Sequence, residues 1–383
     1  MRNIRILTSG ESHGEALYGI IEGIPAGLKL SNSDFEKDSI RRRSGIGRSD
    51  RVKIESDKVE IKSGMSWNST TGAPITIRIP NIIRHDSRLK ALECEDADVK
   101  VKPLTRPRPG HADFVGSKKF EIKDIREIIE RASARETAAR CALGSIAKKF
   151  LDEFGLRIIS RVLAIADIGF TYKCLFPTSE DLDKKWDSFI TETEKVYKNK
   201  KTKLRDLRKK LTEKGDTCGG AFQVIAHKMP IGLGTYTQAD GRLDAILAKA
   251  VMSIPSVKAF SMGAALEKSF KYGSSYIDEF KSSKGRISRK SNNAGGIEGG
   301  ISNGEPLLIR GFVKPVPTLA SPGKTIDMET GKQVDTFYEN ADYWVVESIG
   351  VIAESTIALI LMDELLSKYG GNSMDEIHRH FNA

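Results

Sequence analysis

Cysteine is scarce. Cys94, Cys141, Cys174 and Cys218 are the only four in 383 residues, they lie far apart, and none falls in a CxxC or His-paired spacing. Neither a disulfide framework nor a structural metal site is expected, and a reducing cytoplasm is the expected compartment. Long apolar runs are missing too. The longest, Ile357 to Met362, falls far short of the ~20 residues a membrane span needs. Met1-Arg2-Asn3 leads straight into a strand-like segment, so no signal or transit peptide is expected. There are only six histidines, and no GxSxG, HExxH or paired DxD pattern. No Walker A motif and no strand–GxGxxG–helix is found, so the common nucleotide folds lose weight. No repeat of 20–50 residues and no low-complexity linker divides the chain, which reads as one domain over 1–383.

Positive charge is what the chain has in excess, at +10. Such a balance suits nucleic acid, an anionic membrane surface or small polyanionic ligands, and its distribution discriminates. Part of it lies in 184–214, an interleaved Lys/Arg/Glu/Asp stretch without Gly or Pro, read as a solvated helix or helical hairpin. The chain lacks the interleaved exposed aromatics of single-strand binders, so nucleic acid is not the expected partner. The rest of the excess is arginine beside glycine.

The first hundred residues alternate short period-two segments with turns: "NIRILT", "YGIIEGI", "RVKIES", "KVEIKSG" and "APITIRIP". They predict antiparallel sheet. From Asp124 to Phe154 the apolar spacing turns helical, with a break near Arg131–Ala134. The second half repeats the texture: strands in "GGAFQVIAHKMP" and "EPLLIRGFVKPVPTL", a helix in "RLDAILAKAVMSIP", and a long, nearly all-round apolar helix in "ESIGVIAESTIALILMDELLSKYGG". This predicts an α+β fold: a pair of buried helices flanked by two antiparallel sheets.

Six segments carry chemistry. "GESHG" (10–14) puts a carboxylate, a hydroxyl and His13 on a glycine-bracketed turn after the first strand. "RPRPGHAD" stiffens Arg106 and Arg108 with prolines beside His111, suiting bidentate anion binding next to a group that exchanges protons near neutral pH. An extended surface loop is the other reading. "ERASARETAAR" brings Arg131, Ser133 and Arg135 to a helix break, where small residues admit a ligand. "RRRSGIGRSDR" packs five arginines around two glycines, as a phosphate-cradling loop or a flexible basic one. "NNAGGIEGGISNGEP" allows the main chain to lie flat on a planar ligand or simply makes turns, and "KPVPT" presents Lys314 and Thr318 on a stiff strand end. His85, His227, His378 and His380 look peripheral.

Taken together and in order, "GESHG", "RPRPGHAD", "ERASARETAAR", "DTCGG", "MSIPSVK", "NNAGGIEGGISNGEP" and "KPVPTL" resemble the chorismate synthase family, from residue 4 to about residue 380. The resemblance implies a β-α-β sandwich with a helical core, a homotetramer, and a trans-1,4-elimination of phosphate from 5-enolpyruvylshikimate 3-phosphate to give chorismate, dependent on reduced FMN. NADPH is a possible reductant. It implies that His13 protonates the leaving phosphate, that His111 protonates the reduced flavin, and that Asp342 helps move the ring proton. Ser12, Arg42, Arg48, Arg108 and Arg135 would bind substrate. FMN would meet Arg131, Ala132, Ser133, Pro255, Ser256, Gly299, Lys314, Pro315, Val316, Pro317 and Thr318, with Arg42 and Arg48 also placed for NADPH. In one place the chain departs from the family pattern. Asn340 in "ENADYWVVESIG" stands where the family usually has an arginine, so one charge and one bidentate fork are lost, worth about 2–4 kcal/mol of binding at a buried anion site. Compensation by another arginine is one reading; a weakened or repurposed flavin site is the alternative.

Overall fold

Alternation along the early strands builds the first sheet. The computed structural model describes residues 3–49, 54–82, 102–283, 285–337 and 341–383. Strands β1 (Arg5–Ser9), β2 (Ala16–Glu22), β3 (Glu60–Ile61) and β4 (Ile75–Pro80) pair antiparallel in the order β1-β2-β4-β3. Ile75, Ile77 and Ile79 are fully buried while Thr76 and Arg78 turn to the other face, so one side of the sheet is committed to the core. The second sheet is also antiparallel. It contains β5 (Arg157–Ile165), β6 (Ile168–Gly169), β7 (Gly220–His227), β8 (Val257–Met262) and β9 (Leu307–Val313) in the order β8-β9-β7-β5-β6.

Between the sheets lie two long helices. To set them in chain order, α1 is Asn32–Arg43, α2 Asp113–Phe120, α3 Arg126–Ala132, α4 Thr137–Glu153, α5 Trp186–Lys214, α6 Leu243–Met252 and α7 Val346–Tyr369. Helix α4 packs on β2 and β4, and α7 on β5 and β7, which completes the sheet–helix–sheet sandwich the pattern predicts. Every residue of α7 from Ser348 to Asp363 is buried, as expected of a helix apolar all round. The two helices touch at Gly144 and Ser355. A Cβ at 144 would sit 2.3 Å from Ser355 Cβ, so glycine is what permits the approach.

The break near 131–134 is real. Ser133 is extended (ψ 140°) between α3 and a single 3-10 turn, and its Oγ accepts from Arg135 N. Two expectations need correction. Residues 51–53 of "RVKIES" lie outside the described residues, and 54–56 form no strand, because Glu55 and Asp57 turn inward to arginines and Asp57 adopts a φ of 49°. Of the two forms expected for 184–214 the chain takes the helix, Trp186–Lys214, of 29 residues, and not the hairpin. Nor is it solvated throughout: Leu204 and Leu211 join the core, and Arg208 Nη1 donates to Ile46 O at 3.3 Å. Helix α5 therefore braces the arginine-rich loop that follows α1.

Candidate active site

The turn between β1 and β2 aims His13 inward. Gly10 takes a φ of 95°, and a Cβ there would meet Ala16 O at 2.3 Å, so only glycine lets the turn close. His13 and Ser12 are buried. Glu130 of α3, buried as well, holds both: Ser12 Oγ donates to its Oε2 at 2.8 Å, His13 N donates to the same oxygen at 2.8 Å, and His13 Nδ1 lies 2.8 Å from Oε1. Burial alone would raise the Glu130 pKa, but hydrogen bonds from His13 and Ser12 and the His13 charge bring it to about 2. An ionised carboxylate only accepts, so Nδ1 carries a proton and exchange with a ligand runs through Nε2.

Each arginine facing inward has a carboxylate behind it. Arg42 Nε donates to Asp57 Oδ2 at 3.2 Å, and Arg135 pairs with the same carboxylate while its Nε donates to Asn81 Oδ1 at 3.0 Å. Arg135 also lies 3.3 Å from Glu55. Arg48 Nη1 donates to Asp342 Oδ2 at 2.6 Å, and Ser49 N to Asp342 Oδ1 at 2.7 Å. Arg108 grips Asp113 through Nε at 2.8 Å and its backbone N at 3.0 Å. Burial opposes ionisation of Asp57, yet Arg42 and Arg135 hold its carboxyl below the usual range. For Arg48, burial dominates over the attraction of Asp342 and lowers its pKa.

On the opposite wall, His111 Nε2 and Thr318 Oγ1 are 2.8 Å apart, and Lys314 Nζ donates to Gly110 O at 2.7 Å. Gly110 has a φ of 80°, and its added Cβ would touch Pro317 at 3.0 Å, so the 108–111 turn abuts the 314–318 segment.

These groups surround a single cavity of about 410 Å³. His13 and His111 both line it, along with Ser12, Arg42, Arg48, Arg108, Arg135 and Asp342. Ala132 and Ser133 line it at the helix break, Pro255 and Ser256 before β8, and Lys314, Val316, Pro317 and Thr318 after β9. Among the lining residues, six cations (Arg42, Arg43, Arg48, Arg108, Arg135 and Lys314) face three carboxylates (Glu55, Asp113 and Asp342). With Asp57 behind Arg42 and Arg135 counted as well, six cations still outnumber four carboxylates, and the wall is positive after this pairing.

Three of the residues named above do not line it. Arg131 Nη2 donates to Thr8 O at 2.8 Å and Thr8 Oγ1 at 2.9 Å, clamping α3 to β1. Pro315 is exposed, and Gly299 sits on the tight turn between Ile297–Glu298 and Ile301–Ser302, where an added Cβ would meet nothing within 4 Å. Asn340, His85 and Cys94 lie outside the described residues. Arg106 points away, half-exposed and 3.7 Å from Asp327. His227 is buried, but against Asp183 and Trp186 on the second sheet.

Two residues that organise the site escaped the sequence reading. Glu130 sits directly before "RASARET", and a lone acid among Ile128, Ile129 and Ala132 was the signal to use. Asp57 had none; "ESDKVE" reads as a charged strand edge.

Glu130→Gln keeps the shape but removes the charge that receives Ser12 and His13. A carboxylate depressed from 4.5 to about 2 in the fold contributes stability that is fully present above pH 4.5 and is lost as pH falls towards 2. The Tm gap between wild type and Glu130→Gln should therefore be widest near pH 6 and close below pH 4. A gap that does not change with pH contradicts the ion pair.

The fold and site define an α+β sandwich protein with a basic chamber lined by two histidines. Comparison places it further. A family model described as chorismate synthase matches residues 4–366. Chorismate synthases of Aquifex aeolicus and Geobacter sulfurreducens are 41% and 40% identical, over 100% and 99% of this chain and 97% of each relative. A crystal structure of chorismate synthase superposes with a TM-score of 0.76 at 34% identity, covering 100% of this chain and 97% of that one. The chain belongs to the chorismate synthase family.

Proposed function

We propose that the protein forms chorismate by trans-1,4-elimination of phosphate from 5-enolpyruvylshikimate 3-phosphate, in a site that also takes reduced FMN. The observation that carries this reading is the convergence of His13 and His111 on one cavity with a cationic excess. The substrate brings two carboxylates and a phosphate, and FMN another phosphate, which suits six cations set against three carboxylates.

The residues present fit a flavin. Buried Arg43 Nε and Arg48 Nε have no hydrogen-bond partner, so the chamber keeps donors in reserve for an anion. Ile129, Pro255, Val316, Pro317, Ile349 and Ile352 supply an apolar lining for a planar ring. Lys314, Thr318, Ser133 and Ser256 would hold its polar edge and phosphate. The chemistry a reduced flavin supplies when bound is transient electron density toward the allylic system.

In the elimination the C–O bond to phosphate breaks with its electron pair going to oxygen, a ring C–H bond breaks, and a new C=C bond forms. His13 Nε2 gives a proton to the departing phosphate, with Glu130 fixing the imidazole and stabilising its cationic form. Arg42, Arg135 and Arg48 meet the developing negative charge already oriented by Asp57 and Asp342, so little reorganisation is needed in the transition state. Asp342, one of the lining carboxylates, would receive the ring proton. His111, anchored by Thr318, would hold a proton beside a bound flavin.

Flavin fluorescence tests the cofactor reading. FMN should be quenched saturably by wild type, and Lys314→Gln should weaken binding by about tenfold, as expected for loss of one charge-assisted contact. An unchanged titration would remove Lys314 from the flavin site. Assembly as a homotetramer is supported by Phe270 (95% exposed), Tyr272, Phe280 and Ile287 standing exposed on one segment, since monomers seldom leave such apolar groups in water. Light scattering at four chain masses checks it. The basic helix α5, docked by Leu204 and Leu211, lends nothing to a nucleic-acid reading.

A further inference from the structure

A second cavity lies back to back with the first. Arg41 and Arg42 are neighbours in the last turn of α1; Arg42 lines the active-site cavity, and Arg41 a separate one of about 640 Å³ beneath α5. Val162, Phe222, Val346 and Val351 give it an apolar wall, and the exposed Lys198 and Lys201 of α5 stand at its edge.

The side chain that distinguishes this cavity is Arg161 of β5, only 4% exposed and yet part of its lining. Its Nε donates to Gln223 Oε1 at 2.8 Å and its Nη2 to Cys174 O at 2.8 Å, while Nη1 makes no hydrogen bond among the described residues. The guanidinium lies 4.1 Å from the Tyr172 ring centroid and 5.1 Å from that of Phe189. Every arginine of the first cavity has a carboxylate within ion-pair distance. Arg161 has none among the described residues. Burial brings its pKa down to about 10, outweighing the attraction of Glu192.

Glu192 of α5 attracts Arg161 from a distance but forms no ion pair with it, and it accepts from Lys173 N at 2.9 Å. Arg41 is committed to Glu354, at 2.7 Å through Nη1. Glu347 accepts from Tyr197 Oη at 2.7 Å and Trp344 Nε1 at 3.1 Å, and burial pushes its pKa up. Glu194 lies exposed on α5. Arg310, on the neighbouring strand but one, has its own counter-ion, Nη1 donating to Glu267 Oε1 at 2.6 Å. Burying an uncompensated cation is expensive, and an external anion is the usual remedy.

We propose that this second cavity binds a small amphipathic carboxylate, its anionic group paired with Arg161 and its apolar body laid on Val162, Phe222 and Val351. A volume of this size, one charged anchor and a mostly apolar wall are the attributes of small-molecule sites. The proposal stands independently of the reaction assigned to the first cavity.

The test is calorimetric titration of the full chain with 3-phenylpropionate, using 3-phenylpropionamide as the uncharged counterpart. The carboxylate should saturate one site per chain and bind at least about tenfold more tightly than the amide. Arg161→Met should weaken it by about tenfold or more, with a circular dichroism melt to confirm the fold. The double variant Lys198→Glu, Lys201→Glu, confined to the surface, should weaken it several-fold at low salt. Arg48→Gln, in the first cavity, should leave it unchanged. Equal binding of acid and amide, wild-type affinity in Arg161→Met, loss in Arg48→Gln, or no saturable binding would each overturn the proposal.

Discussion

His13→Gln should reduce turnover by roughly 10²–10⁴-fold, the range over which a positioned general acid contributes, while leaving FMN affinity within a few-fold of wild type. Glutamine is the informative replacement. Its amide can still donate to Glu130, so the buried carboxylate is not stranded, whereas alanine would leave that charge unsatisfied at a cost of ~1–3 kcal/mol or more. What glutamine cannot do is release a proton to a leaving oxygen. The loss should therefore fall on kcat, with KM little changed, because the contact matters most when charge develops on phosphate. Steady-state assays with reduced FMN in excess would read this directly. A variant that kept more than about a tenth of the wild-type rate would remove His13 from the chemistry.

Asp57→Ala should be the most destabilising single change at the site, by about 3–5 kcal/mol. Asp57 is 3% exposed and receives Arg42 and Arg135, with Arg43 Nε a further 3.7 Å away. Its removal leaves buried guanidinium groups without a counter-charge, and the lost carboxylate leaves a gap between them. The same change should make the protein's Tm unusually responsive to added phosphate, since an anion that binds only the folded state raises stability as its concentration passes Kd. Chemical denaturation with and without phosphate measures both. Unchanged stability, or a phosphate response no larger than that of wild type, contradicts the role given to Asp57.

These two residues also show how far the sequence could be read. Helices α4 and α7 were legible because their apolar spacing is local and persistent, and the Ser133 break because small polar residues interrupt it. His13 and His111 stood out through their glycine and arginine neighbours, and the structure brings them to one cavity. Glu130 and Asp57 were not legible in the same way. Their meaning comes from partners 117 and 15 residues away, His13 and Arg42, and a carboxylate carries no local mark of the guanidinium it will meet. The arginine ring was accordingly read as bare positive charge, when each member is already paired and oriented. Arg131 illustrates the converse: its position beside Ser133 suggested a ligand contact, but α3 turns it outward onto Thr8. Helix α5 was judged by its charged face, which hides the heptad-spaced Leu204 and Leu211 that dock it.

The account depends on one chamber in which two imidazoles and a cationic wall act together on a phosphorylated, flavin-assisted substrate. An anaerobic assay with 5-enolpyruvylshikimate 3-phosphate and reduced FMN, following chorismate absorbance and released phosphate together, tests that most directly. The account predicts equal amounts of the two products, no turnover without reduced flavin, and loss of both signals in His13→Gln. Phosphate release without chorismate, or product formed equally well with no flavin, would contradict it.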